Sequence, residues 1–76
     1  MWWLEAYDKT EKLAKDYSLP FARDDPFVAS LLKTDISKDQ GGGWPLDADQ
    51  LHMLAPHIPE PLTPEFYEYF LEWLQD

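Results

Sequence analysis

The C-terminal segment, residues 63–76, constrains the fold of this chain more than any other stretch. It holds five of the twelve aromatic residues and four acidic residues, and it contains no Lys or Arg. A segment of this composition must bury one side and keep the other side in water or against a positively charged partner. Any fold of the chain therefore has to offer this segment an apolar surface.

The pattern within residues 63–76 favours a helix. On a helix the large apolar side chains share one arc and the glutamates lie opposite them. Thr63, Pro64 and Glu65 fit the N-cap and first positions of a helix. A strand is the alternative, since aromatic residues are enriched in strands. The strand would place on one side Tyr67, Tyr69, Leu71 and Trp73.

The size of the chain predicts one domain, residues 1–76, with a small core. It has no Cys, so disulfides and thiolate metal sites are excluded. Its aromatic rings must supply much of the packing. No apolar run is long enough to cross a membrane, and the N-terminus lacks the pattern of a signal peptide. We therefore expect a cytoplasmic protein.

The charge is strongly negative and unevenly distributed. Six Lys and Arg against fifteen Asp and Glu give a net charge of −9. All six cations lie at or before Lys38, and residues 39–76 carry eight acids and no cation. Such a field repels nucleic acids and anionic membranes and attracts basic surfaces. A solvated surface that only aids solubility is the alternative interpretation.

The remaining sequence predicts an α+β fold. Residues 2–19 indicate a β-hairpin with its turn at 8–11, although a helix over 10–17 competes for the second strand. Asp25 and Pro26 open a short helix that ends near Lys33. A third short strand is predicted near Trp44. We thus expect one small domain in which an N-terminal hairpin packs with about three short helices.

A further helix begins at Asp47. Asp47 and Gln50 have the spacing of a capping box, and Pro56 ends the helix near Ala55.

The edge of the aromatic N-terminal hairpin offers unpaired backbone groups. Pairing of this edge with another copy of the chain would give a homodimer, and pairing with a partner would add a strand from the partner to the sheet.

Catalytic chemistry is not indicated. His52 and His57 are five residues apart across a proline, a spacing that does not form a metal site on one helical face. No Ser or Thr lies in a nucleophile motif. The run Gly41–Gly43 lacks the lysine that follows in a phosphate-binding loop. We therefore predict a non-enzyme with no cofactor and no metal.

Protein binding remains as the function that the composition favours. An acidic surface with aromatic anchors suits a basic partner, because charge speeds encounter and apolar contacts slow dissociation. On a helix, Glu65, Glu68 and Glu72 would form one acidic stripe. The residues predicted to bind the partner are Glu65, Glu68, Glu72, Asp47, Asp49, Glu60, Asp76 and Trp44.

Four stretches of the sequence resemble a known group of proteins. They are residues 3–13 (WLEAYDKTEKL), 17–20 (YSLP), 45–51 (PLDADQL) and 67–72 (YEYFLE). This layout resembles small bacterial immunity proteins of polymorphic toxin systems, which include contact-dependent growth inhibition. The resemblance implies a cytoplasmic inhibitor that binds its cognate toxin, often a nuclease domain. It carries over no individual binding residue.

Two other functions stay open at this point. A phage-type inhibitor that mimics nucleic acid against a host enzyme would have a similar charge. An acidic adaptor or structural domain would use the charge only for solubility.

Overall fold

A four-stranded antiparallel sheet with the order β2-β1-β4-β3 organises the chain in the computed structural model, which describes residues 1–33 and 43–74. The strands are β1 (Trp2–Tyr7), β2 (Leu13–Leu19), β3 (Trp44–Pro45) and β4 (Glu68–Trp73). The helices are α1 (Pro26–Leu32) and α2 (Ala48–Leu54), and a 3₁₀-helix (Ala55–His57) follows α2. The α+β fold with an N-terminal hairpin is confirmed, as is the short strand at Trp44.

The predicted hairpin is formed by β1 and β2, so the competing helix over 10–17 is wrong. The Asp8 carboxylate closes the turn by accepting hydrogen bonds from the Thr10 amide (2.8 Å), the Thr10 hydroxyl (2.6 Å) and the Lys12 amide (3.2 Å). These hydrogen bonds lower the pKa of Asp8, and the bond from the Thr10 hydroxyl has the largest effect. Glu11 completes the turn in the left-handed conformation with φ 63°.

A β-bulge follows the turn. The register runs from Ala6 opposite Lys15 to Tyr7 opposite Leu13, so Ala14 has no partner on β1. The bulge moves Leu13 to the side of the sheet opposite Tyr17 and Leu19, whereas simple alternation would have kept the three together.

Both α-helices start at the predicted caps. The Asp25 carboxylate accepts the Phe27 amide at 2.8 Å, and Pro26 occupies the first turn of α1. Asp47 and Gln50 form the predicted capping box at the start of α2. The Gln50 side-chain amide also donates to the Leu31 carbonyl at 2.9 Å, which ties α2 to the end of α1.

The core lies between the helices and one side of the sheet. Trp2 is its largest member, and its indole nitrogen donates to the Ala22 carbonyl at 3.0 Å. Trp44 and Trp73 pack against Trp2, with ring centroids 5.5 and 5.4 Å away. The buried apolar residues are Trp2, Leu4, Ala6, Leu19, Val28, Leu31, Leu51, Leu54, Ile58, Tyr69 and Leu71.

The predicted C-terminal helix is wrong, because its central part is strand β4. The cap-like start at Thr63 forms only one turn, in which the Thr63 carbonyl accepts the amides of Phe66 (3.0 Å) and Tyr67 (3.2 Å). The chain then extends, and all six residues of β4 pair with β1. This pairing covers the second edge of β1. A helix at this position could not pair with the backbone groups of that edge.

Candidate functional site

The two sides of the sheet have different surroundings. Trp2, Leu4 and Ala6 of β1 point toward the helices, and we call this side the helix-covered face. The opposite side we call the open face, since neither described α-helix packs on it. The strand register assigns to the open face Trp3, Glu5, Tyr7, Leu13, Asp16, Ser18, Pro45, Glu68, Phe70 and Glu72.

Carboxylates surround Glu5 on the open face. Asp16 of β2 lies directly opposite Glu5, at a Cβ separation of roughly 5 Å for such pairs. On the other side of β1, Phe70 of β4 lies directly opposite Glu5. Glu68 and Glu72 therefore occupy the two positions diagonal to Glu5, roughly 7–8 Å away. None of the strand residues on this face is Lys or Arg. Glu5 thus lies at the centre of an acidic array that spans three strands.

Glu5 is itself buried, with 8% of its surface exposed. A hydrogen bond with the Glu72 carboxyl, burial and the charge of Glu72 together raise the pKa of Glu5 to about 7. The Tyr7 hydroxyl donates to Glu5 Oε1 at 3.4 Å and opposes this shift, while Asp16 adds to it.

Aromatic rings frame the acidic array. Tyr7 and Phe70 meet edge to face, with centroids 5.5 Å apart at 87°. Burial and the neighbouring carboxylates raise the pKa of Tyr7. A concavity of about 390 Å³ opens between these groups. Among residues 1–33 and 43–74, those that line it are Glu5, Tyr7, Glu11, Gly43, Glu68, Phe70 and Glu72.

The structure brings together two of the three glutamates of the predicted stripe. Glu68 and Glu72 lie on the open face, separated along β4 by roughly 13 Å for a four-residue step in a strand. Glu65 is exposed in the turn before β4. The row is therefore a pair on a strand plus one turn residue, and not a helical stripe.

The other predicted binding residues lie away from the open face. Asp47 caps α2 by accepting the Gln50 amide at 2.9 Å, and Asp49 is exposed in the first turn of that helix. Glu60 forms an exposed ion pair with Lys15 at 3.1 Å. Trp44 packs on Trp2 on the helix-covered face. Asp76 lies outside the described residues.

Sequence reasoning missed Glu5 and Asp16 as site residues because it placed the acidic surface in the second half of the chain. A signal for Glu5 was present, since it is the one charged residue in the otherwise apolar and aromatic β1 stretch 2–7. A charge at such a position either points to solvent or marks a special environment.

The histidines have no shared site. The His57 ring packs between Phe21 and Phe27, at centroid distances of 5.0 and 5.2 Å, while His52 is exposed on α2. Within residues 1–33 and 43–74, no group of three His, Asp or Glu side chains has a geometry that could hold a metal ion. In the same ranges, no helix has the length and apolar character that crossing a lipid bilayer requires.

One family of proteins matches nearly the whole chain. It is described as "Domain of unknown function (DUF7683)", and the match covers residues 1–72. No curated protein and no solved structure matches the chain. The chain belongs to the DUF7683 family.

Proposed function

We propose that this member of the DUF7683 family is a non-catalytic inhibitor of the immunity-protein type, which binds a basic toxin domain through its open face. The observation that carries the proposal is the composition of that face. Four carboxylates from β1, β2 and β4 project there among three aromatic rings, and no strand residue on the face carries a positive charge.

The placement of the charges supports a basic partner. Opposite charges across an interface steer the encounter of two proteins and raise the association rate. The open face draws its acids from both halves of the sequence, with Glu5 and Asp16 from the first and Glu68 and Glu72 from the second. Its negative field is thus a property of the folded sheet and not only of the cation-free second half.

The aromatic residues on the same face would slow dissociation. Tyr and Trp are enriched among the residues that dominate binding energy, and a half-buried ring can fill a partner pocket at little entropic cost. Trp3 and Tyr7 are half-buried on the open face, and Leu13 beside them is 49% exposed. A nuclease domain fits this combination, because its substrate-binding cleft is basic and an acidic, rigid sheet face can occupy it.

The test uses charge reversal on two sides of the molecule. Glu68→Lys with Glu72→Lys changes the open face, and Asp24→Lys with Asp49→Lys makes the same change in net charge at exposed positions elsewhere. The partner in this test is the product of the gene next to that of this protein, which the proposal expects to contain a toxin domain. We expect the open-face variant to lose at least about tenfold in association rate at low salt, and the control variant less than about threefold.

Two readouts decide the proposal. Wild-type protein should protect cells that express the toxin domain, and the open-face variant should protect them less than the control does. The association rate of the open-face variant should also depend less on salt. Equal behaviour of the two variants, or a neighbouring gene whose product is neither toxic nor bound, would overturn the proposal.

A further inference from the structure

The concavity on the open face combines aromatic rings, a buried carboxyl and a second carboxyl beside it. It is walled by the edge-to-face rings of Tyr7 and Phe70, its floor holds the buried carboxyl of Glu5, and Glu72 adjoins that carboxyl. Its volume of about 390 Å³ is large enough for a single side chain of a partner.

Charge dominates the floor of the concavity. The groups that face Glu5 are Tyr7 on its own strand, Asp16 from β2, and Glu68 and Glu72 from β4, and Glu11 from the hairpin turn lines the same space. All of these groups except Tyr7 are acids. A buried carboxyl beside a half-buried one, without a cation among their strand neighbours, is a costly arrangement, which a positive group from outside would relieve.

We propose that the concavity around Glu5 receives an arginine side chain of the basic partner. This inference rests on the proposed function, since it names the chemical group by which the open face holds its partner.

The geometry favours a guanidinium over an ammonium group. A guanidinium is planar and offers five N–H donors, so it can bond two carboxylates at once while its plane lies against an aromatic ring. The walls and floor of the concavity supply both kinds of contact. A lysine would bring a compact, strongly hydrated charge that gains less from the rings.

Entry of the positively charged guanidinium would displace a proton from the Glu5 carboxyl. Below about pH 7 the Glu5 carboxyl is mostly protonated before binding. When the guanidinium enters, the O–H bond of this carboxyl breaks, the proton passes to water, and the Glu5 carboxylate faces the cation. The pKa of about 7 for Glu5 places this change near neutral pH. Binding should therefore strengthen as pH rises to about 7 and level off above it.

The experiment titrates the full chain with three short peptides that differ at one position, which is Arg, Lys or citrulline. Citrulline keeps the shape of arginine without its charge. Binding is followed by NMR through the side-chain carboxyl carbons of Glu5 and Glu72, at pH 5.5 to 8.5. We expect at least about fivefold tighter binding of the Arg peptide than of the Lys peptide, and no shift of these signals with citrulline.

The pH series and two variants complete the test. Affinity for the Arg peptide should rise up to about tenfold per pH unit below 7, the limit for one released proton. Glu5→Gln and Glu72→Gln should each reduce both the pH dependence and the preference for arginine, and the exposed control Asp24→Asn should change neither. Equal affinity for Arg and Lys, no pH dependence, or shifts that map to another surface would overturn the inference.

The outcome is separable from that of the proposed function. If toxin binding depends on Glu68 and Glu72 but the peptides show no preference for arginine, the arginine pocket is wrong and the inhibitor function stands. If the pocket binds arginine but no toxin is neutralised, the inhibitor function is wrong and the pocket stands.

Discussion

Trp2 and Trp3 are neighbours in sequence and face opposite sides of the same sheet. Trp2 is fully buried against α1, α2 and two further indoles, whereas Trp3 is half-buried among acids on the open face. The helix-covered face contains the residues that a small domain needs for stability. The open face places like charges side by side, which lowers stability, and an arrangement of this kind makes the face a candidate functional site.

The largest expected effect is a difference in the free energy of unfolding between substitutions of Trp2 and of Trp3. Trp2→Ala removes the central ring of the core and the hydrogen bond to Ala22, and we expect it to lower the free energy of unfolding by about 3–5 kcal/mol. Trp3→Ala should cost about 1 kcal/mol, because the ring keeps contact with water. Urea denaturation measures both values.

A small domain can lose its fold with Trp2→Ala, so Trp2→Phe serves as the second variant. It keeps most of the apolar surface and loses the indole donor, and it should still cost more than Trp3→Phe. Equal losses at the two positions would contradict the distinction between the faces.

The second expected effect concerns Glu5, whose substitution should raise the free energy of unfolding and not lower it. Its pKa in the folded protein is about 7, above the ordinary value of 4.5, so between these pH values the folded state binds more protons than the unfolded state. The contribution of Glu5 to stability is therefore present below about pH 4.5, falls as pH rises toward 7, and stays low above it. Glu5→Gln removes this loss.

We expect Glu5→Gln to raise the free energy of unfolding by about 1–2 kcal/mol at pH 8 and to change it little at pH 4.5. Chemical denaturation at the two pH values measures the difference. Glu65→Gln, on the exposed turn, is the control. A loss of stability at pH 8 would show that the carboxylate of Glu5 supports the fold and does not strain it.

The smallest effect compares two residues with positive φ. Glu11 (φ 63°) ends the hairpin turn and lines the concavity, and Lys33 (φ 57°) ends α1. Glycine adopts this conformation without strain, so Glu11→Gly and Lys33→Gly should each raise stability by up to about 1 kcal/mol.

The two glycine variants should differ in binding. Glu11→Gly removes a carboxylate from the concavity and should weaken binding of a basic partner, whereas Lys33→Gly should not. Thermal unfolding and the peptide titration measure the two quantities. Binding that strengthens in Lys33→Gly by as much as it weakens in Glu11→Gly would indicate that the field of the whole chain matters more than the open face.

Local signals in the sequence predicted the parts of the fold that depend on near neighbours. The Asp25-Pro26 start of α1 and the Asp47–Gln50 capping box are complete within four residues, and both formed as expected. The periodicity of residues 63–76 favoured a helix over a strand, and this preference was wrong. Their conformation is decided by β1, which lies more than sixty residues away and needs a partner along its second edge.

The candidate site was harder to predict for the same reason. The sequence identified Glu68 and Glu72 as members of an acidic row, but their neighbours Glu5 and Asp16 join them only through strand pairing. The raised pKa of Glu5 beside Glu72 requires both the register of β1 with β4 and the burial of Glu5. Neither can be read from spacing along the chain.

The three indoles of Trp2, Trp44 and Trp73 also give the molecule an optical signature. Their rings lie 5.4 and 5.5 Å from one another through Trp2, close enough for their excited states to couple. The near-ultraviolet circular dichroism of this trio would report on the integrity of the core. Trp3, on the other side of the sheet, would respond in fluorescence when a molecule covers the open face. Folding and docking can thus be followed separately in one sample, without an added dye.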